Sequence, residues 1–331
     1  MDIYIKKIVF ILLLIIHLFY NCKKNNNTND SKKLKIGVTN AEAGSLIFIA
    51  ESMNFFKKYK SNVKIITFDS GRQAADALLN NEIDICTSGD FVFVCEYDKN
   101  TDLRIIGTVS KLNTTKLLHL KTKNIKYPKD LIGKKIAVIK GGSPEFFLDT
   151  FLIYHNIPHD AIQYIYLTPK EIEQNLISKN IDAGVLWNPY VYNVQKELQD
   201  DVDIWPLHTS RYLYFLLLAK QNNIITKEKS IQKFIKALIK TEEWTKKNTN
   251  KTKKIIREKF KYNKDYFDKT VWNDMDLSLE LSQELIVSLE DQARWYLKKN
   301  NIDNSLIFDN FNYIDINFIK NVDEKRITII H

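Results

Sequence analysis

Cysteine is scarce, with three among 331 residues. Cys22 closes an apolar run, which leaves Cys86 and Cys95 for the folded body, too few for a disulfide framework. No CxxC pair occurs, and the six histidines (His17, His119, His155, His159, His208, His331) have no paired spacing. A zinc site is therefore not expected, and both body cysteines read as small buried apolar residues. No internal repeat of fixed period is present, which excludes a solenoid. With 44% hydrophobic and 27% charged residues, the chain escapes the composition of a disordered protein and is long enough for two modest domains with cores of their own. Its net charge of +9 would suit an anionic partner, but lysine, asparagine and isoleucine are abundant throughout, so base composition explains the excess equally well.

The amino terminus carries an export signal. Lys6 and Lys7 precede an unbroken apolar stretch over 8–16, which ends at Cys22 and gives way at once to a polar run. A membrane-spanning helix wants about 20 apolar residues, so the pattern reads as a signal peptide over 1–21 rather than a permanent span. A cysteine placed directly after it looks like the lipidated first residue of a bacterial lipoprotein, although Phe19, Tyr20 and Asn21 depart from the usual Leu, small residue and Gly or Ala. Each buried acyl methylene contributes about 0.8 kcal/mol, so several chains anchor durably where one does not. Residues 22–33 then form the lipidated cysteine and a flexible tether.

From Leu34 onward, short apolar strands alternate with segments of helical spacing. Strand 34–39 leads to helix 45–56, 63–68 to 72–80, 83–87 to 90–98, and 103–109 to an extended stretch at 115–120. A second series follows: strands 135–139, 163–167 and 183–187, with helices 144–155, 170–178 and one beginning at Pro189. After the apolar strand 212–219 the chain turns helical, at 227–247, 249–260 and 278–299. The fold class is α/β, with parallel-rich sheets covered by helices. Two lobes are expected, 34–118 with 212–331 and 119–211, with 115–120 and 212–219 as hinge strands. Open α/β sheets bind ligands beyond the carboxyl ends of their strands, so function is expected in the cleft between the lobes.

The loops that should face this cleft share a chemistry. Asn40 to Ser45 is small and polar and opens a helix whose first N–H groups are unpaired. Ser88, Gly89 and Asp90 combine helix-capping groups with a glycine that permits close approach. Gly141, Gly142, Ser143 and Pro144 start a helix in a manner that favours anions. Trp187, Asn188, Pro189 and Tyr190 end a strand with a flat aromatic and an amide. Phe91, Phe146, Trp187 and Tyr190 offer either stacking surface for a heterocycle or ordinary core.

Taken in order, Gly133-Lys134-Lys135-Ile136-Ala137-Val138, Gly141-Gly142-Ser143, Ile181-Asp182-Ala183 and Trp187-Asn188-Pro189-Tyr190 resemble the substrate-binding proteins of ABC importers for sulfonates, nitrate, taurine and thiamine-precursor pyrimidines. Upstream, Asn81-Glu82-Ile83-Asp84-Ile85 resembles the family's "G-x-I-D" strand, with Asn81 where glycine is usual, and Ser88-Gly89-Asp90 its ligand loop. The likeness runs over 34–219. It implies a two-lobed type II periplasmic-binding-protein fold with two hinge crossings and extra C-terminal helices. It also implies an extracytoplasmic protein that hands a small polar or anionic solute, or alternatively a pyrimidine or other heterocycle, to a membrane permease. Under it the ligand-binding residues are Asn40, Gly44, Ser45, Ser88, Gly89, Asp90, Gly142, Ser143, Trp187 and Asn188. Arg72 is either an anion partner or an exposed helix-start arginine. Asp90 would favour a ligand carrying an amine or ring N–H, unless it is used up as a helix cap.

Capture would proceed by closure of the lobes around the solute, with no bond changed. The expected partners are a small-molecule ligand, the permease and the membrane through the lipid; no cofactor, metal or nucleic acid is expected, and the chain should be monomeric. Two other functional classes compete. An enzyme would need a nucleophile or base with an oriented partner, and none stands out; the fold-related pyrimidine-synthesising enzymes carry a cysteine-rich run that has no counterpart here. A surface adhesin or nucleic-acid binder would rest on the basic stretch 246–264, whose Ile255, Ile256 and Phe260 at helical spacing instead mark a solvated helix face.

Overall fold

In a computed structural model the described residues are 33–97, 99–207, 212–302 and 312–330. The expected signal peptide over 1–21, Cys22 and the tether as far as residue 32 lie outside them. Two mixed sheets organise the chain. The first has the order β11-β4-β10-β3-β1-β2, formed by β1 (Leu34–Thr39), β2 (Val63–Phe68), β3 (Ile85–Gly89), β4 (Leu103–Leu112), β10 (Leu213–Lys220) and the short β11 (Met275–Asp276). The second has the order β7-β6-β8-β5-β9, formed by β5 (Lys116–Leu120), β6 (Lys135–Val138), β7 (Gln163–Tyr166), β8 (Ala183–Leu186) and β9 (Val202–Pro206). Within each sheet the strands with helical crossovers pair in parallel, β1 with β2 and β3, β6 with β7 and β8, as crossovers require.

The helices follow local signals. In α1 (Ser45–Ser52) six successive residues from Ser45 to Ala50 are buried. α2 (Gly71–Leu79) is capped by the Ser70 side chain, which accepts from Gln73 N–H, and buries Ala74, Ala75, Ala77 and Leu78. α3 (Asp90–Tyr97) follows the end of β3 directly, and α4 (Ser143–Tyr154) follows β6 after a four-residue turn at 139–142. α5 (Pro169–Ile177) starts with proline after a Thr168–Glu171 capping box, and α6 is Tyr190–Leu198. Beyond the second sheet come α7 (Gln221–Lys247), α8 (Thr249–Phe260) and α9 (Gln283–Asn300). No helix among the described residues is long and apolar enough to cross a membrane.

Four expectations are corrected here. The helix expected over 45–56 breaks after Ser52, because Asn54 takes a left-handed conformation (φ 57°) and restarts a short turn. The last long helix begins at Gln283, where Ser282 supplies the cap, and not at 278. β5 and β10 are interior strands, β5 between β8 and β9 and β10 between β3 and β4; they are not themselves the crossings. The first crossing is residues 113–115, so Lys116, Leu117 and Leu118, expected in the first lobe, pair within the second sheet. That crossing is held to the first lobe by Asn113 N–H donating to Asp274 O (2.7 Å) and by the Lys116–Asp274 ion pair (2.8 Å).

Each lobe has its own core. Ile36, Leu46, Leu217 and Phe234 are among the first lobe's buried residues, and Ile136, Val138, Phe147 and Leu152 among the second's. Cys86 and Cys95 are free and buried, and burial raises both thiols above their usual range.

Candidate functional site at the lobe seam

The carboxyl ends of β1 and β3 in one lobe and of β6 and β8 in the other lead into turns that converge. A methyl group built on Gly89 would stand 3.6 Å from Ser143 Oγ, so the turns after β3 and β6 meet across the seam. A second meeting point is Asn188, after β8, whose Oδ1 accepts from Tyr266 OH of the first lobe at 2.8 Å.

In the first lobe, Thr87 Oγ1 accepts from Thr39 N–H (3.0 Å) and ties the ends of β1 and β3 together. Ser45, first residue of α1, is buried, and its hydroxyl has no hydrogen-bond partner among the described residues. A buried hydroxyl left unpaired costs about 1 to 3 kcal/mol, which a polar solute atom would recover. Ser88 is also buried, but its hydroxyl is engaged by Gly71 O at 3.0 Å. Asn40 is exposed at the end of β1. At Gly44 an added Cβ would fall 2.6 Å from Val38 Cγ1 and 2.7 Å from Thr39 O, so this glycine is explained by the close packing of the α1 start on β1. In the second lobe, Gly142 is half-buried ahead of α4, Ser143 is buried, and the half-buried Trp187 meets Tyr190 edge-on at 6.0 Å.

Two residues whose roles the sequence leaves open are engaged by protein partners. Asp90 is wholly buried, and its carboxylate accepts from Phe91 N–H (2.8 Å), Gln292 Nε2 (2.8 Å), Tyr214 N–H (3.3 Å) and Ser288 Oγ (3.4 Å). With its acceptors filled by the protein, it is a structural anchor, not a selector of amine-bearing ligands. Arg72 pairs with Glu96 at 2.6 Å and Asp76 at 3.1 Å, so its guanidinium is engaged by these carboxylates.

The sequence reading passed over Glu42. It sits in the loop after β1, is buried, and accepts a short hydrogen bond from Tyr262 OH. Around it Tyr192 of the second lobe packs on Tyr266 (4.6 Å between ring centres) and Tyr262 (5.7 Å) of the first. Glu42 was visible as a carboxylate entering an apolar helix, but its tyrosine partners are far along the chain. Burial raises its carboxyl from 4.5 to about 7, against the lowering effect of the Tyr262 hydrogen bond and its own N–H. The folded state thus keeps a proton that the unfolded chain sheds above its ordinary value, so this contribution is full at low pH and is lost as pH rises through about 7. Asp90, raised to about 6, acts in the same direction. Glu42→Gln should remove about 3 kcal/mol of pH dependence, leaving a shallower decline in urea-unfolding free energy between pH 4.5 and 8 than the parent shows.

The sequence profile described as NMT1/THI5-like matches residues 44–252. A Bacillus subtilis protein named for aliphatic sulfonate binding is 23% identical over 97% of this chain and 98% of its own. The taurine-binding periplasmic protein of Escherichia coli is 27% identical over 45% of this chain and 47% of its own. Among solved structures, the periplasmic aliphatic sulphonate binding protein SsuA of Escherichia coli superposes with a TM-score of 0.70 at 20% identity, covering 85% of this chain and 99% of that one. The desulfurization enzyme DszB shares the fold at a TM-score of 0.64 and 10% identity, over 88% of this chain and 99% of its own. The periplasmic-binding-protein architecture is therefore common to binding proteins and at least one enzyme, whereas the profile match runs through both lobes and more than half of the chain. The chain belongs to the NMT1/THI5-like family.

Proposed function

We propose that the protein is the extracytoplasmic solute-binding component of an ABC importer, and that it captures a small sulfonate, taurine or a related anion between its lobes. The observation that carries this reading is the convergence of strand-end turns from both lobes at Gly89 and Ser143, with the unpartnered Ser45 hydroxyl in the β1 turn. Helix starts present free N–H groups and a favourable dipole to an anion; the second lobe contributes α4, whereas ahead of α1 a turn over Glu42–Gly44 already takes up Ser45 N–H on Glu42 O. Gly142 and Ser143 would bind from the second lobe, Ser45, Ser88 and Gly89 from the first, with Asn40, Trp187 and Asn188 at the margins. A ligand held by both lobes favours the closed arrangement by its differential affinity for it.

A second reading is favoured by Glu42. A buried carboxylate beside three tyrosines suits a solute that carries an amine or a ring N–H as well, so taurine or a pyrimidine competes with a bare sulfonate. The reading includes a monomer, export by the 1–21 signal, a lipid on Cys22 and a permease partner; loss of palmitate incorporation in Cys22→Ser would test the lipid. The binding proposal is tested by thermal-shift screening of the full chain in mild detergent against taurine, alkanesulfonates, nitrate and pyrimidines. At one hundred times Kd a true ligand adds about 2.7 kcal/mol, a rise of several degrees. No shift from any of the four classes would refute the proposal.

A further inference from the structure

The profile match ends at residue 252, yet α9, beyond it, touches the turns of both lobes. One face of this helix carries Ser288, Gln292, Trp295 and Lys299, spaced by four, three and four residues, which aligns them along one side. In its second turn Ser288 Oγ (3.4 Å) and near its middle Gln292 Nε2 (2.8 Å) both donate to Asp90, at the turn after β3. Midway, the Trp295 ring lies 5.4 Å from Phe91 of the first lobe and 5.6 Å from Phe146 of the second, and those two rings stack at 6.0 Å. At its end, Lys299 Nζ donates to Glu145 Oε1 (2.6 Å), stands 3.5 Å from Asp149 Oδ2, and lies over the Trp295 ring. Glu145 in turn accepts from Gly141 N–H at 2.7 Å, which fixes the turn before Ser143.

We infer that α9 is a strap that positions both strand-end turns and holds the lobes closed before any solute arrives, with Lys299 as its key positioning residue. Glu145 and Asp149 occupy successive turns of α4 in the second lobe and are buried. Their other partners are uncharged donors, Gly141 N–H and Tyr166 OH to Glu145 and Tyr164 OH to Asp149, together with His159 at 3.7 Å from Asp149. Lys299 comes from the first lobe. Two carboxylates one helical turn apart repel strongly away from water, and a buried charge stripped of its partner is costly. Separating the lobes rehydrates them, so closure and charge compensation are one event. Glu145 also places negative charge at the start of α4, which opposes an anion there unless Lys299 offsets it. Solute release on opening then has a physical cause: the lysine withdraws as the lobes part.

This rests on the solute-binding reading only in treating the two turns as ligand loops; the strap itself is tested without solute. Spin labels at Lys57→Cys in the first lobe and Glu197→Cys in the second, both exposed, in a Cys22→Ser full chain, report the interlobe distance by double electron–electron resonance. The parent should give a short distribution. Lys299→Met should move weight to longer distances and lower the closed-to-open ratio about tenfold or more, and Lys299→Arg should restore the parent distribution. Trp295→Leu, which keeps the ion pairs, should shift the distribution in the same sense and serves if Lys299→Met does not fold. A parent that is already open, or a folded Lys299→Met or Trp295→Leu whose distribution superposes on the parent, overturns the inference. A failed solute screen alongside an opened Lys299→Met would retire the transport reading and leave the strap standing.

Discussion

Ser143→Trp is expected to lower affinity for the best-binding solute by about a hundredfold or more while the protein remains folded. Ser143 begins α4 and is buried, facing Gly89 across the seam. An indole has no room there when the lobes touch, and forcing bulk into a packed site costs about 1 to 3 kcal/mol. The protein escapes that strain by staying open, which removes one lobe's contacts and taxes binding by the fraction of closed molecules lost. Titration calorimetry on parent and variant reads the change. Ser143→Ala, which removes only a hydroxyl, should lose less than about tenfold. An affinity for Ser143→Trp within threefold of the parent would place the solute elsewhere.

Arg326→Ala is expected to be the most damaging to stability, by about 3 kcal/mol. Glu242 on α7 is almost wholly buried and accepts from Arg326 Nη1, which also reaches Leu279 O at 3.2 Å. The same carboxylate accepts from Leu279 N–H (3.1 Å) and pairs with Lys246 at 2.6 Å. The cluster fastens residues 279–281 and the C-terminal segment to the core helix, aided by Leu281 N–H to Arg326 O (3.0 Å). Removing the arginine leaves the buried carboxylate with an exposed lysine, so the loss should fall at the low end for a broken buried pair. Urea denaturation measures it, and in Glu242→Gln the same arginine change should cost markedly less, because the two side chains act as one unit. A loss under about 1 kcal/mol would mean that the pair behaves as a surface salt bridge.

The strands were legible because their signal is local. Residues 34–39 and 63–68 alternate or cluster apolar side chains within a few positions, and the structure pairs those spans in register. The Gly141 to Pro144 and Trp187 to Pro189 turns were legible for the same reason, since capping and proline geometry are written in adjacent residues. Partnerships across the chain were not. Whether Asp90 is a pocket carboxylate or is used up by the protein stays open in the sequence, because Ser288 and Gln292, which satisfy it, arrive 198 and 202 residues later. Glu42 looked unremarkable because Tyr262, Tyr192 and Tyr266 meet only after both lobes are built. The strands 115–120 and 212–219 looked like hinges because sequence gives strand character but not neighbours; interior pairing on both sides of β5 and β10 moved the crossings into the short links beside them.

Hydrogen–deuterium exchange of the full chain, with and without saturating taurine or the best alkanesulfonate, tests the shared seam most directly. Simultaneous added protection is predicted at the starts of α1 and α3 in the first lobe and of α4 and α6 in the second, at one solute per chain. Protection confined to one lobe, or appearing only on outer faces away from Gly89 and Ser143, would contradict capture between the lobes.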